Sequence, residues 1–150
     1  MSIEIRPAEK DDVGRIVLFN QAMAKETEGR DLDRSTLTRG VEALLKDPSK
    51  GRYFVALRGD ELVGQVMVTM EWSDWRNGAV WWLQSVYVSK RYRREGIYRR
   101  LHEHVRECAL EEKVIGIRLY VERDNVGAQS TYRTLGMKAS QYLMFEEMWA

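Results

Sequence analysis

The chain of 150 residues is poor in the groups that build disulfide frameworks and metal centres. A single cysteine, Cys108, excludes an internal disulfide and makes a reducing cytosol the expected compartment. The two histidines, His102 and His104, would point away from each other on a helix, so no metal site is expected. No apolar run approaches the ~20 residues that span a bilayer. The start, MSIEIRPAEKDD, lacks the basic-then-apolar order of a secretory signal. Charge of one sign is also lacking. A formal net charge of +1 leaves no broad basic surface, so neither nucleic acid nor membrane is an expected partner. Internal repeats, low-complexity segments and linkers are absent, and so are the glycine motifs GxGxxG and GxxxxGK[ST].

What is present reads as one soluble α/β domain over residues 1–150, large enough to bury its own core. Ile3 and Ile5 alternate with polar residues in a strand closed by Pro7. Asp11 or Asp12 can cap a helix carrying Val13, Ile16, Val17 and Met23, followed by a charged loop, KETEGRDLD (25–33). A second helix runs from about Ser35 to just before Pro48. RYFVALR and ELVGQVMVTM flank Gly59-Asp60 as a hairpin, and VWWLQSVYV (80–88) is apolar enough for a central strand. A helix carrying Ile97, Leu101, Val105 and Cys108 follows, then a strand at GIRLYVE (116–122). A short helix from Asn125 to Leu135 ends at Gly136, and QYLMFEEMW forms a last strand. The expected order is β-α-α-β-β-β-α-β-α-β, with room for two strands at the end, on a mixed sheet.

The unusual stretch is KRYRREGIYRRLHEHV (90–105), where arginines stand at 91, 93, 94, 99 and 100 around Gly96. It lies where a strand ends and a helix begins. A helix start presents unsatisfied N–H groups and a positive dipole end, and glycine lets a ligand approach the backbone. Arginines add forked donors suited to phosphate. By itself the stretch is equally well explained as a solvated basic helix start, interrupted by Glu95, Glu103 and Glu107.

Arg93-Arg94-Glu95-Gly96-Ile97-Tyr98 resembles the [RQ]-x-x-G-x-[GA] motif of the GNAT superfamily of acyl-CoA N-acyltransferases, with Tyr98 standing where the family usually has Gly or Ala. SVYV resembles the strand before that turn, and NVGAQSTYRTLGM resembles the family's second signature. The resemblance implies an acetyl-CoA-dependent N-acetyltransferase. The amides and side chains of Arg93, Arg94, Glu95, Gly96, Ile97 and Tyr98 would cradle the pyrophosphate of coenzyme A. Val86, Tyr87 and Val88 would border the pantetheine arm, with a backbone N–H near Val86 serving the oxyanion. Asn125, Ala128 and Tyr132 would line the arm from the following helix.

Acetyl transfer from a thioester to an amine needs a neutral amine, a stabilised oxyanion and a proton for the leaving thiolate. Tyr132 is the expected donor; it lies about two helical turns after Asn125, and a core tyrosine is the competing reading. Asn125 serves equally as a helix cap. For the base, Glu71, Glu28 and Glu122 are candidates, with Glu71 first because it borders the Trp-rich segment EWSDWRNGAVWW (71–82); a water chain could do the same work. Trp72 and Trp75 either line a pocket for an apolar or cationic amine, the expected acceptor being a small-molecule or peptide amine, or pack across a homodimer interface. Cys108 sits in an apolar helix stripe, which favours an inert thiol and direct transfer in a ternary complex. A catalytically idle acyl-CoA sensor on the same fold is the alternative.

Overall fold

The computed structural model describes residues 2–150. In it the chain divides into two compact units, one ending at Tyr120 and the other spanning Val121–Ala150.

In the first unit, strand β1 (Ile3–Pro7) leads through a 3-10 turn (Lys10–Asp12) into helix α1 (Val13–Glu28), which is followed by α2 (Arg34–Lys46). Next come β2 (Arg52–Arg58), β3 (Glu61–Ser73), β4 (Gly78–Val88), α3 (Ile97–Glu111) and the short β5 (Gly116–Arg118). The sheet order is β1-β2-β3-β4-β5. Strands β1 to β4 pair antiparallel, and β4 pairs parallel with β5. A parallel pair needs a crossover connection, and α3 supplies it. The result is the mixed α/β sheet expected from the element order.

Each face of the sheet has its own core. Ile16, Val17 and Phe19 of α1 and Val41 and Leu44 of α2 pack with Tyr53, Val55 and Tyr87. On the other face Ile97, Leu101 and Val105 of α3 pack with Phe54, Val66, Trp81 and Leu83. Trp81 and Trp82 fall on opposite faces, as alternation requires: Trp81 is in the α3 core, whereas Trp82 stacks at 6.1 Å on Tyr120.

The boundaries differ from expectation in three places. Helix α1 runs on to Glu28, so Lys25 to Glu28 are helical rather than looped; Gly29, at φ 64°, then takes the left-handed conformation that closes it. Strand β5 holds only Gly116–Arg118 of the expected 116–122. The last strand expected at QYLMFEEMW is absent, since residues 137–150 contain no strand. A strand exists only through a neighbour's hydrogen bonds, and β5 pairs with β4 over three residues.

The second unit contains helix α4 (Val126–Thr134), close to the predicted range. Asn125 caps it by accepting from the Ala128 N–H at 3.1 Å. Among the described residues no helix is long and apolar enough to cross a membrane.

Candidate active site

The centre of the sheet carries a break in register. Gln65 pairs with Tyr87 and Met67 with Gln84, so Ser85 and Val86 together face Val66 alone. Such a bulge takes backbone groups out of the ladder and bends the strand. Ser85 sits at φ 50°, a conformation that a non-glycine residue holds only when its surroundings enforce it.

Three buried side chains supply that enforcement. The amide of Gln65 on β3 donates to the Ser85 carbonyl at 3.0 Å and to Asn20 Oδ1 at 3.3 Å. Asn20, from α1, donates to the Tyr53 hydroxyl of β2 at 3.0 Å. Gln65 Oε1 has no partner among the described residues, which is rare for a buried polar atom. Burial pushes the Tyr53 phenol up, opposed by the hydrogen bonds of Asn20 and Ser85, so it stays protonated at neutral pH. Sequence analysis missed all three. A signal existed: Gln65 is the single polar side chain in LVGQVMV (62–68).

Beyond the bulge, β4 runs out at Val88 and the chain turns into α3. Arg93 fastens this exit. Its Nε donates to the Val88 carbonyl and its guanidinium to Glu26 Oε1, both at 2.9 Å. It also lies over the Tyr87 ring, and the Tyr87 hydroxyl donates to Glu26 Oε2 at 2.5 Å. Burial pushes the Glu26 carboxyl up, but the Tyr87 and Arg93 hydrogen bonds outweigh it and hold the group below the usual glutamate range. Tyr87 is displaced upward by burial and by that carboxylate. Glu26 therefore acts as a fixed anion clamping helix to strand end, a role hidden while 25–28 is read as loop.

The turn itself has two left-handed residues, Arg94 at φ 68° and Gly96 at φ 79°. Apart from its two chain neighbours, none of the described residues has an atom within 4 Å of where a Gly96 Cβ would stand, so the backbone is uncovered there. Gly96 also precedes the first turn of α3, which has no side-chain cap. Exposed amides at a helix start suit an anion. The five arginines divide by task. Arg91 stacks on Tyr92, Arg93 is clamped, and Arg100 donates to the Ile3 carbonyl. Arg94 and Arg99 are exposed and their side chains make no bond among the described residues, leaving them available to a ligand. Glu95 pairs with Arg58 at 2.9 Å. The Tyr98 hydroxyl lies 3.2 Å from Nδ1 of buried His102, so its ring follows its own helix. Ile97 is buried in the α3 core.

The structure thus brings Val86, Tyr87, Val88 and the turn from Arg93 to Tyr98 together around one strand end. Asn125, Ala128 and Tyr132 gather on α4 in the second unit. Burial pushes the Tyr132 phenol up, so it keeps its proton at neutral pH. Glu71 stands apart. It pairs with Val80, five residues before Ser85, which is roughly 16 Å along the strand at about 3.3 Å per residue. Its Oε1 accepts from the Trp82 indole at 2.8 Å and from Arg118 at 3.1 Å. Glu28 pairs with Arg30, and Glu122 accepts from the Asp124 N–H. Cys108 is half-buried against the α3 core, and burial raises its thiol, as suits an inert side chain.

The site thus combines a bulged central strand, an uncapped helix start after it and a glycine with open space beside its backbone. The model of the acetyltransferase (GNAT) family matches residues 18–137, and the chain belongs to that family. A crystal structure described as "a possible acetyltransferase from Clostridium difficile 630" is 48% identical, with a TM-score of 0.92, covering 100% of this chain and 99% of that one. A Clostridium acetobutylicum structure described as "predicted acetyltransferase with acetyl-CoA" shares the fold at 16% identity and a TM-score of 0.79, covering 97% of this chain and 96% of its own. An aminoglycoside acetyltransferase from an uncultured soil metagenomic sample, in complex with trehalose, does so at 15% identity and 0.80, covering 99% and 97%. No curated protein matches the chain.

Proposed function

We propose that the protein is an acetyl-CoA-dependent N-acetyltransferase that moves the acetyl group directly to a primary amine within a ternary complex. The observation that carries this reading is the uncapped start of α3, with open space beside Gly96 and two uncommitted arginines, directly after the bulged strand. Those residues fit a pyrophosphate: the helix start without a side-chain cap offers backbone N–H groups, and Arg94 and Arg99 add charge. The amide border of β4 at Val86 suits the pantetheine arm and the oxyanion.

Three proton and charge tasks follow for the chain's own groups. The amine reaches the thioester carbon in its neutral form, and the carbon–nitrogen bond forms as the carbonyl becomes an oxyanion held by a backbone donor near Val86. As the carbon–sulfur bond breaks, the Tyr132 hydroxyl gives its proton to the leaving thiolate. Glu71, at its distance from the bulge, serves as the terminus of a water relay that takes the amine proton rather than as a direct base. Cys108, tucked against α3, plays no covalent part.

The acceptor is a small-molecule or peptide amine; nucleic acid and membrane are not partners, and the lone cysteine suits the cytoplasm. Release of free thiol from acetyl-CoA, measured across a panel of amines, tests the reading. Turnover with one amine class supports it. Acetyl-CoA binding without thiol release from any amine would instead support the idle sensor.

A further inference from the structure

The buried amide of Gln65 is unfavourable where it stands. Its side chain is fully buried, and Oε1 has no partner among the described residues. An apolar side chain of the same size would fill the space without leaving an oxygen unpaired. What a glutamine adds is the pair of N–H donors on Nε2. One is directed to Asn20 Oδ1 at 3.3 Å and the other to the Ser85 carbonyl at 3.0 Å. The orientation is fixed from behind. Asn20 Nδ2 donates to the Tyr53 hydroxyl at 3.0 Å, which leaves Asn20 Oδ1 turned to Gln65 as an acceptor. A flipped Gln65 would set its own oxygen against two others.

The bond acts on more than a carbonyl. Ser85 and Val86 are joined by a trans peptide, whose C=O and N–H lie in one plane and point in opposite directions. Holding the Ser85 oxygen on Gln65 therefore aims the Val86 N–H away from Gln65. On the side of β4 away from β3, β5 pairs only with Val80–Trp82, so its ladder does not claim that N–H. A hydrogen bond accepted at the carbonyl also polarises the peptide and makes its N–H a stronger donor.

We infer that Gln65 is a positioning residue for acetyl transfer: through the Ser85–Val86 peptide it aims and polarises the N–H that stabilises the oxyanion. This rests on the acetyltransferase reading proposed above. Asn20 and Tyr53 extend the device, because they fix which end of the Gln65 amide meets the carbonyl. The chain of bonds runs from β2 through α1 and β3 to one peptide of β4, all within the first unit. The ligand turn is fastened separately, by Arg93 on Val88 and Glu26, so loss of Gln65 is felt in the chemical step rather than in acetyl-CoA binding.

The test compares the parent with Gln65→Met, which keeps the length and loses both donors, and with Gln65→Glu. An amine that the parent acetylates is used, with chemistry rate-limiting. Gln65→Met should lose roughly 10- to 100-fold in kcat, less than the roughly 10²–10³-fold lost with an outright oxyanion donor, while KM for acetyl-CoA holds. Nuclear magnetic resonance should show the Ser85 carbonyl carbon and the Val86 amide nitrogen both moving upfield. Gln65→Glu offers a donor only while its carboxyl is protonated, so its kcat relative to the parent should climb toward one as pH falls and drop as pH rises. The titratable groups on the elements packed against it supply no such limb: Tyr53 and Tyr87 are displaced upward, and Glu26, paired with Arg93, downward. If Gln65→Met does not fold, this limb decides. Equal kcat in the parent and Gln65→Met, a loss confined to KM, or a Gln65→Glu ratio flat with pH overturns the inference alone. A parent that releases no thiol with any amine overturns the acetyltransferase reading and the inference with it.

Discussion

Replacing Glu26 should loosen the junction between α1 and the end of β4 by an amount the geometry sets. The Tyr87 hydroxyl, partly buried, donates to the carboxylate, a charged hydrogen bond of about 1.5–3 kcal/mol. The Arg93 ion pair is 40% exposed on the arginine side, so screening limits it to about 0.2–1 kcal/mol. Glu26→Ala, which strands both donors, is expected to cost about 2–4 kcal/mol. Glu26→Gln still accepts a neutral bond from Tyr87 and should cost about 1–2 kcal/mol. The pH dependence follows from the direction of the shift. The folded carboxyl is held below its unfolded value, near 4.5, so its stabilisation is present above that value and disappears as pH falls through the folded one. Urea unfolding of the parent and Glu26→Gln should therefore differ at neutral pH and converge in acid. A double-mutant cycle with Tyr87→Phe should show coupling. Equal stability at neutral pH, or a deficit that persists unchanged in strong acid, would refute the clamp.

The other predictions test the ligand turn and the chemistry. Gly96→Asp brings strain at a positive φ of about 1–2 kcal/mol and a negative charge facing the phosphates, so calorimetry should show weaker acetyl-CoA binding; unchanged affinity in the folded variant removes the site from this turn. Tyr132→Phe should lower turnover by roughly 10²–10⁴-fold with little change in acetyl-CoA affinity, and a variant that keeps more than half the parental rate, with chemistry rate-limiting, rules out the donor. Because burial raises this phenol, the parental turnover should hold up to alkaline pH and fall only above the ordinary tyrosine value of 10.0; a limb near neutrality assigned to Tyr132 would contradict this. Tyr98→Phe removes the hydroxyl from buried His102 and should cost about 0.5–1.5 kcal/mol in thermal unfolding while leaving acetyl-CoA affinity unchanged. A loss of affinity there would show that the hydroxyl meets the ligand.

Much of the architecture could be read directly from the chain, because local chemistry specifies it. The alternation of Ile3 and Ile5, the turn at Gly59-Asp60, the apolar run of β4 and the cap at Asn125 each act over a few residues, and each element formed close to where it was expected. The turn at Gly96 was legible for the same reason. A left-handed glycine before a helix start leaves its mark in the sequence as glycine.

What depended on tertiary structure was every assignment that needed a partner distant in the chain. Nothing local says that Arg93 would be taken up by Glu26, 67 residues earlier, leaving Arg94 and Arg99 as the arginines open to an anion. Likewise the bulge at Ser85 exists because Gln65, held by Asn20, satisfies a carbonyl that the ladder abandons. Glu71 looked favourable beside its tryptophans, and only strand register revealed its distance from the bulge. The tail shows the same limit from the other side. QYLMFEEMW carries the composition of a strand, but a strand is a property of a pair. Composition supplies the side chains, and only pairing with a hydrogen-bonding edge makes them a strand.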